Sequence, residues 1–124
     1  GDYGWNPGAG YNESVPMTDQ DLPGKQIEAA WESGNPTVAT GGGTFIPVQD
    51  RWGAYGGALA VAVLKDQELR ILSFDESGKL TDDSSPEVMQ DYGRLRTVSL
   101  AADGDLLITS DNGGEDVLLR VTPR

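Results

Sequence analysis

Two short apolar stretches, Gly57-Ala-Leu-Ala-Val-Ala-Val-Leu-Lys65 and Gly104-Asp-Leu-Leu-Ile-Thr109, occupy equivalent places in two parts of this sequence. Each begins with a glycine and continues as a run of apolar residues, a pattern that is typical of a buried strand. The second stretch starts about 47 residues after the first. A repeat of roughly 40–50 residues that holds four short strands is typical of a β-propeller blade. The repeat therefore predicts an all-β fold of about two blades.

Further strands are expected around these two stretches, from alternating apolar residues and from turn residues between them. The predicted strands lie at residues 44–48, 58–64, 68–74, 94–100, 106–110 and 117–123, with a weaker one between 79 and 89. This pattern divides the chain into a loop-rich segment at 1–43, a blade at 44–92 and three strands of a last blade at 93–124. Propellers typically have roughly 4–8 blades. We therefore expect the last blade to lack its closing strand, which would come from preceding blades of the same protein.

The composition excludes several classes of function. Twenty acidic and nine basic residues give a formal net charge of −11, and this field would repel a nucleic acid. Solubility is the simplest explanation of the acidity, and calcium binding is the alternative, because calcium prefers carboxylate and carbonyl oxygens. The sequence has no cysteine and no histidine, so disulfides, thiolate zinc sites and histidine bases are excluded. Its apolar runs are too short to span a membrane.

Four motifs, read in order, resemble the glucose/sorbosone dehydrogenase family and cover almost the whole chain. They are Gly1-Asp-Tyr-Gly-Trp-Asn-Pro-Gly-Ala-Gly-Tyr-Asn-Glu13; Trp31-Glu-Ser-Gly-Asn-Pro-Thr37; the strand from Gly57 to Lys65; and a last-blade pattern made of Gly93-Arg-Leu-Arg96, Ala102-Asp-Gly104, Ile108-Thr-Ser-Asp111 and Leu119-Arg120. The resemblance implies a six-bladed propeller that binds pyrroloquinoline quinone (PQQ) and calcium and oxidises a sugar by hydride transfer to the quinone. It also implies a secreted or periplasmic enzyme whose catalytic base is a histidine. Because this chain has no histidine, we expect it to be inactive by itself.

Five residues match the positions at which the family contacts its cofactor. Arg94 and Arg96 are two apart in a predicted strand, so both side chains should leave on the same face. Their guanidinium groups suit the three carboxylates of PQQ, although a pair of solvent-facing arginines is the alternative. By the resemblance, Lys65 contacts the quinone, Asp111 orients the arginines and Thr37 donates to a carboxylate. From the residues alone, Lys65 could equally be a polar strand end and Asp111 a turn cap.

The resemblance also implies a sugar pocket and a calcium loop. Trp31 and Asn35 would line the sugar pocket, although Trp31 could equally be a core aromatic residue and Asn35 stands where one member of the family has an aromatic residue. The calcium loop would use Tyr3, Ala9, Tyr11 and Glu13, with three backbone carbonyls and one carboxylate as ligands. Asp2 and Pro7 depart from the family pattern at this loop.

Two other classes of function stay open at this point. A non-catalytic β-propeller module would share the fold without the chemistry, and a calcium-binding domain would explain the acidity. Binding of a dinucleotide is not expected, because Gly41-Gly-Gly43 lacks the G-x-G-x-x-G spacing and a following helix.

Overall fold

The computed structural model describes residues 1–6 and 16–123. The chain divides into two compact units, Gly1–Thr37 and Val38–Arg124. Within the described residues, no helix is long and apolar enough to cross a bilayer.

The second unit consists of two antiparallel sheets formed by consecutive strands. The first sheet contains, in order, β1 (Thr40–Phe45), β2 (Leu59–Val63), β3 (Glu68–Phe74) and β4 (Leu80–Ser84). The second contains β5 (Leu95–Leu100), β6 (Leu106–Ser110) and β7 (Leu118–Val121). Short 3₁₀ segments at Asp50–Tyr55 and Glu87–Tyr92 follow β1 and β4. The prediction of an all-β fold, with four strands in one sheet and three in the next, is confirmed.

The two repeated stretches form the second strand of each sheet, β2 and β6. In each stretch a glycine with positive φ stands two residues before the strand, Gly57 at 85° and Gly104 at 86°. Such a backbone conformation strains residues that have a Cβ. The glycines therefore mark the same turn geometry at the entrance of both strands.

The hydrophobic core lies between the two sheets. β2 and β3 contribute Ala60, Ala62 and Ile71, and the second sheet contributes Leu95 and Ile108; all five are at most 3% exposed. Small alanines on one sheet face larger branched residues on the other, so the sheets can pack closely. Each sheet covers one face of its neighbour, as successive blades of a propeller do.

Several strand boundaries differ from the sequence prediction, and those at the starts of β1 and β5 matter most. β1 begins at Thr40, earlier than the predicted residue 44, and so includes three glycines that the pattern assigned to a loop. β5 begins at Leu95, one residue later than predicted, and its register with β6 shifts between Leu95 and Thr97. Arg96 is therefore the extra residue of a β-bulge, and the simple alternation of faces expected for Arg94 and Arg96 does not hold there.

The first unit has no strand or helix among its described residues. Two backbone hydrogen bonds of 2.8 Å hold it together, from the Asp19 amide to the Gly4 carbonyl and from the Ile27 amide to the Asp2 carbonyl. Thr18 and Gln26 are buried in it, at 6% and 5% exposure. The turn-rich composition of this segment is thus matched by an irregular but hydrogen-bonded backbone.

Candidate functional site

Lys65 lies at the end of the first sheet where β1 begins. Thr40 of β1 pairs with Val63, the last residue of β2, and Val63 pairs with the first residue of β3. The turn that carries Lys65 joins β2 to β3 at that same end. The amide of Lys65 donates to the carbonyl of Val38 at 3.0 Å, and its side chain is exposed.

The second sheet places Arg94, Arg96 and Asp111 at one of its ends as well. Leu95 pairs with Ser110 at the start of β5 and the end of β6, so Arg94 and Asp111 flank this pair. The Asp111 amide donates to the Arg94 carbonyl at 2.8 Å, which continues the ladder beyond the strands.

The two sheet ends coincide, because β1 packs against β5. Gly41 in β1 lies so near the Arg96 carbonyl that an added Cβ would overlap its oxygen and come within 3.2 Å of its carbon. Lys65, Arg94, Arg96 and Asp111 therefore share one end of the second unit. Gly41 is a site-shaping residue that the sequence pattern missed, since a glycine run gives no signal of close strand packing.

Asp111 contacts both arginines. Its carboxylate forms an ion pair with Nη1 of Arg96 at 3.1 Å, and its carbonyl accepts a hydrogen bond from Nε of Arg94 at 3.2 Å. The side chains of Arg96 and Asp111 are 57% and 43% exposed, so water screens this pair. These contacts use one nitrogen of each guanidinium group, so other N–H donors of Arg94 and Arg96 are left for an anionic ligand with several carboxylates.

The other predicted cofactor and sugar residues lie in the first unit. Thr37 and Asn35 are exposed, Trp31 is half-buried, and the Asn35–Pro36 peptide bond is cis. These three residues are near one another in sequence, and the structure does not assign them to a pocket.

The predicted calcium loop falls mostly outside the described part of the chain. Tyr3 is described and is 59% exposed, whereas Ala9, Tyr11 and Glu13 lie outside the described residues. Across residues 1–6 and 16–123, no group of three or more acidic residues is arranged to hold a metal ion. Calcium binding thus stays a prediction of the resemblance.

A charged network that the sequence analysis missed occupies the opposite end of the sheets. Asp105 is 2% exposed, and its carboxylate accepts hydrogen bonds from Arg51 at 2.5 Å, Arg120 at 2.8 Å and Thr122 at 2.8 Å. Trp52, beside Arg51, donates its indole N–H to the Gly104 carbonyl at 3.0 Å. These bonds join the segment after β1 to the β5–β6 turn, so the network ties the two sheets together.

Hydrogen bonds set the charge state of Asp105. Donation from Arg120 is the largest influence, followed by donation from Thr122, and together with Arg51 they lower the pKa of Asp105 from 3.8 to about 2 despite the opposing effect of burial. This aspartate is separated from Lys65, Arg94 and Arg96 by the length of the sheets, so its role is structural.

Comparison with known proteins identifies the family. The sequence profile of the glucose/sorbosone dehydrogenases matches residues 1–120 of this chain. The chain belongs to the glucose/sorbosone dehydrogenase family. The resemblance seen in the sequence motifs is thereby confirmed, and the members of this family are oxidoreductases. No curated protein sequence matches the chain.

A solved structure shares the fold of this family member. It is the crystal structure of an oxidoreductase from Thermus thermophilus, described as a glucose dehydrogenase, with 22% sequence identity and a TM-score of 0.60. The match covers 81% of the present chain and 29% of the Thermus chain. This glucose/sorbosone dehydrogenase family chain thus spans less than a third of that protein, and the identity is low enough for the likeness to concern the fold alone.

Proposed function

We propose that this chain is the part of a PQQ-dependent sugar dehydrogenase that binds the carboxylates of the cofactor with Arg94 and Arg96. The observation that carries the proposal is the convergence of Lys65, Arg94, Arg96 and Asp111 at one sheet end, in a chain of the glucose/sorbosone dehydrogenase family. Three of the nine basic residues of an acidic chain lie at this end of the sheets.

The chemistry of the donors fits the cofactor. A guanidinium group has five N–H donors in a planar fork, which matches a carboxylate with two parallel hydrogen bonds. Arg96 uses Nη1 on the Asp111 carboxylate and Arg94 uses Nε on its carbonyl. Further N–H groups of both side chains remain for an incoming carboxylate, and Asp111 prevents the guanidinium groups from turning away.

In the proposed enzyme, PQQ supplies the group that accepts a hydride from the sugar. Arg94 and Arg96 bind and orient the cofactor carboxylates, and Asp111 holds Arg96 in place. Lys65 supplies a positive charge that stabilises negative charge on a nearby ligand oxygen. Thr37 as a carboxylate donor, Trp31 and Asn35 as sugar-pocket residues, and calcium bound at Tyr3, Ala9, Tyr11 and Glu13 belong to the same proposal and rest on the family resemblance.

The base that takes the proton from the sugar hydroxyl is proposed to lie outside this chain. The sequence contains no histidine, and the family resemblance implies a histidine base upstream. We therefore propose that the chain acts together with the other blades of a secreted or periplasmic protein. Incubated alone with PQQ, calcium, aldoses and an electron acceptor, it should show no turnover above buffer.

Titration of the purified chain with PQQ in a calorimeter tests the proposal. We expect Arg94→Ala and Arg96→Ala each to weaken binding by roughly ten- to a hundredfold, because a hydrogen bond to a charged group contributes about 1.5–3 kcal/mol. Lys79→Ala is the charge-matched control, since Lys79 lies on the β3–β4 turn at the opposite end of the first sheet and should leave the affinity unchanged.

The trimethyl ester of PQQ provides a second control, because it has the same ring system without charged carboxylates. We expect the wild-type chain to bind the ester much more weakly than PQQ. An absence of PQQ binding by the wild-type chain, or an equal loss in all three alanine variants, would contradict the proposal. A non-catalytic propeller module would then be the better description of the chain.

A further inference from the structure

The carboxamide of Asn112 bridges two backbone groups on either side of Gly93. Its Nδ2 donates to the Tyr92 carbonyl at 3.0 Å, and its Oδ1 accepts from the Arg94 amide at 2.8 Å. These groups stand just before β5 and so lack partners in the strand ladder. One side chain from the β6–β7 turn therefore takes the place of a neighbouring strand.

Asn112 is itself held in place by the turn that carries it. The Asn112 amide donates to Oδ1 of Asp116 at 2.5 Å, and the Ser110 hydroxyl donates to the same oxygen at 3.1 Å. The Ser110 hydroxyl in turn accepts the Val117 amide at 2.8 Å. Hydrogen bonds within the turn thus hold Asn112 in the position from which it contacts Gly93.

Gly93 is shaped to receive this side chain. Its φ of 71° is strained for any residue with a Cβ, and an added Cβ would overlap Oδ1 of Asn112 and lie 3.0 Å from its Cγ. Only glycine satisfies both conditions at once. The Asn112 side chain therefore packs directly against the Gly93 backbone, one residue before Arg94.

We infer that Asn112 is a positioning residue of the proposed cofactor site, acting through Arg94. Asn112 accepts a hydrogen bond from the Arg94 amide and so fixes the backbone position of Arg94. The Asp111 carbonyl accepts a hydrogen bond from Nε of Arg94 and so restrains the side chain. The arginine then presents its remaining donors in one direction before a ligand arrives, which lowers the entropy lost on binding. This inference rests on the proposed function, since it concerns the same carboxylate ligand.

A double-mutant cycle between Asn112 and Arg94 tests the inference, with PQQ affinity and thermal stability measured on every variant. We expect Asn112→Ala to weaken PQQ binding by about three- to thirtyfold, because it removes two hydrogen bonds that fix the Arg94 backbone and only part of their contribution is expressed in binding. In an Arg94→Ala background the same change should leave PQQ affinity as it is, because nothing remains to be positioned. Its effect on the melting temperature should persist in both backgrounds.

Thr109→Val is the matched control, because it removes the 2.8 Å hydrogen bond between the Thr97 and Thr109 hydroxyls of β5 and β6. It should lower stability without changing PQQ affinity. Should Asn112→Ala fail to fold, Asn112→Ser, which keeps a small polar residue in the turn, is used in the same cycle.

The outcomes separate the two proposals. An equal loss of PQQ affinity in the wild-type and Arg94→Ala backgrounds, or no loss in either, overturns the role of Asn112 and leaves the proposed function standing. A wild-type chain that does not bind PQQ overturns both. Loss confined to the wild-type background supports both.

Discussion

At the scale of single residues, charged groups of this chain differ in what surrounds them. Arg96 and Asp111 are about half exposed, and their ion pair is screened by water. Asp105 is nearly buried, with donors on both carboxylate oxygens. The exposed pair leaves Arg96 accessible to a ligand, whereas the buried carboxylate of Asp105 is suited to hold the sheets together.

The lowered pKa of Asp105 predicts a specific dependence of stability on acid. Its pKa is about 2 in the folded chain against an ordinary value of 3.8, so the ionised carboxylate stabilises the fold at pH values above 3.8. This contribution is lost as the pH falls from 3.8 through about 2. Melting temperatures measured between pH 2 and 6 should therefore fall less steeply in Asp105→Asn than in the wild type, from a lower starting value.

The control for this measurement is Asp82→Asn, which changes an exposed aspartate on β4. It should keep the acid dependence of the wild type. Parallel curves for the wild type and Asp105→Asn would contradict the prediction.

At the scale of elements, the site depends on how closely β1 approaches β5. A Cβ added to Gly41 would overlap the Arg96 carbonyl oxygen, and a Cβ added to Gly42 would lie 3.3 Å from the Cα of Thr97. The bulge at Arg96 and the glycine run of β1 thus fit each other. A strand that looks like a loop in sequence therefore packs directly against the Arg96 backbone.

Gly41→Ala should separate these two strands. We expect it to lower the free energy of unfolding by about 1–3 kcal/mol, as overpacking of a close contact commonly does, and to weaken PQQ binding because Arg96 moves. Gly114→Ala is the control, since an added Cβ there meets nothing within 4 Å. Urea unfolding curves should shift for Gly41→Ala and stay within about 0.5 kcal/mol of wild type for Gly114→Ala; equal shifts would refute the close approach.

At the scale of the whole molecule, the last strands of the two sheets, β4 and β7, differ in how their free edges are protected against further strand pairing. β4 carries Asp82 and Asp83, and charges on an edge strand discourage further pairing. β7 has the sequence Leu-Leu-Arg-Val, with Leu118 67% exposed, and pairs only with β6 among the described strands. The free edge of β7 is therefore available to a strand from elsewhere.

This edge should cause the isolated chain to self-associate at high concentration. We expect Leu118→Lys to increase the monomeric fraction in analytical ultracentrifugation, because a lysine on the edge opposes strand addition. Val48→Lys is the control: Val48 is also highly exposed, at 87%, but lies outside the strands, between β1 and the first 3₁₀ segment. Equal effects of the two substitutions would point to general apolar contact instead of edge pairing.

The sequence by itself determined the approximate positions of the strands other than β1, because alternation of apolar residues and the glycines before β2 and β6 are local signals that depend on a few neighbouring residues. It also determined the family, through motifs spread along residues 1–120. Only the tertiary structure decided which distant residues meet. Asp111 contacts Arg94, which is 17 residues away in the sequence, and Asp105 contacts Arg51, which is 54 residues away. The first contact depends on strand register, and the second depends on how the two sheets stack. No local pattern encodes that stacking, which is why the bulge at Arg96, the role of Asn112 and the Asp105 network were visible only once the strands had been placed.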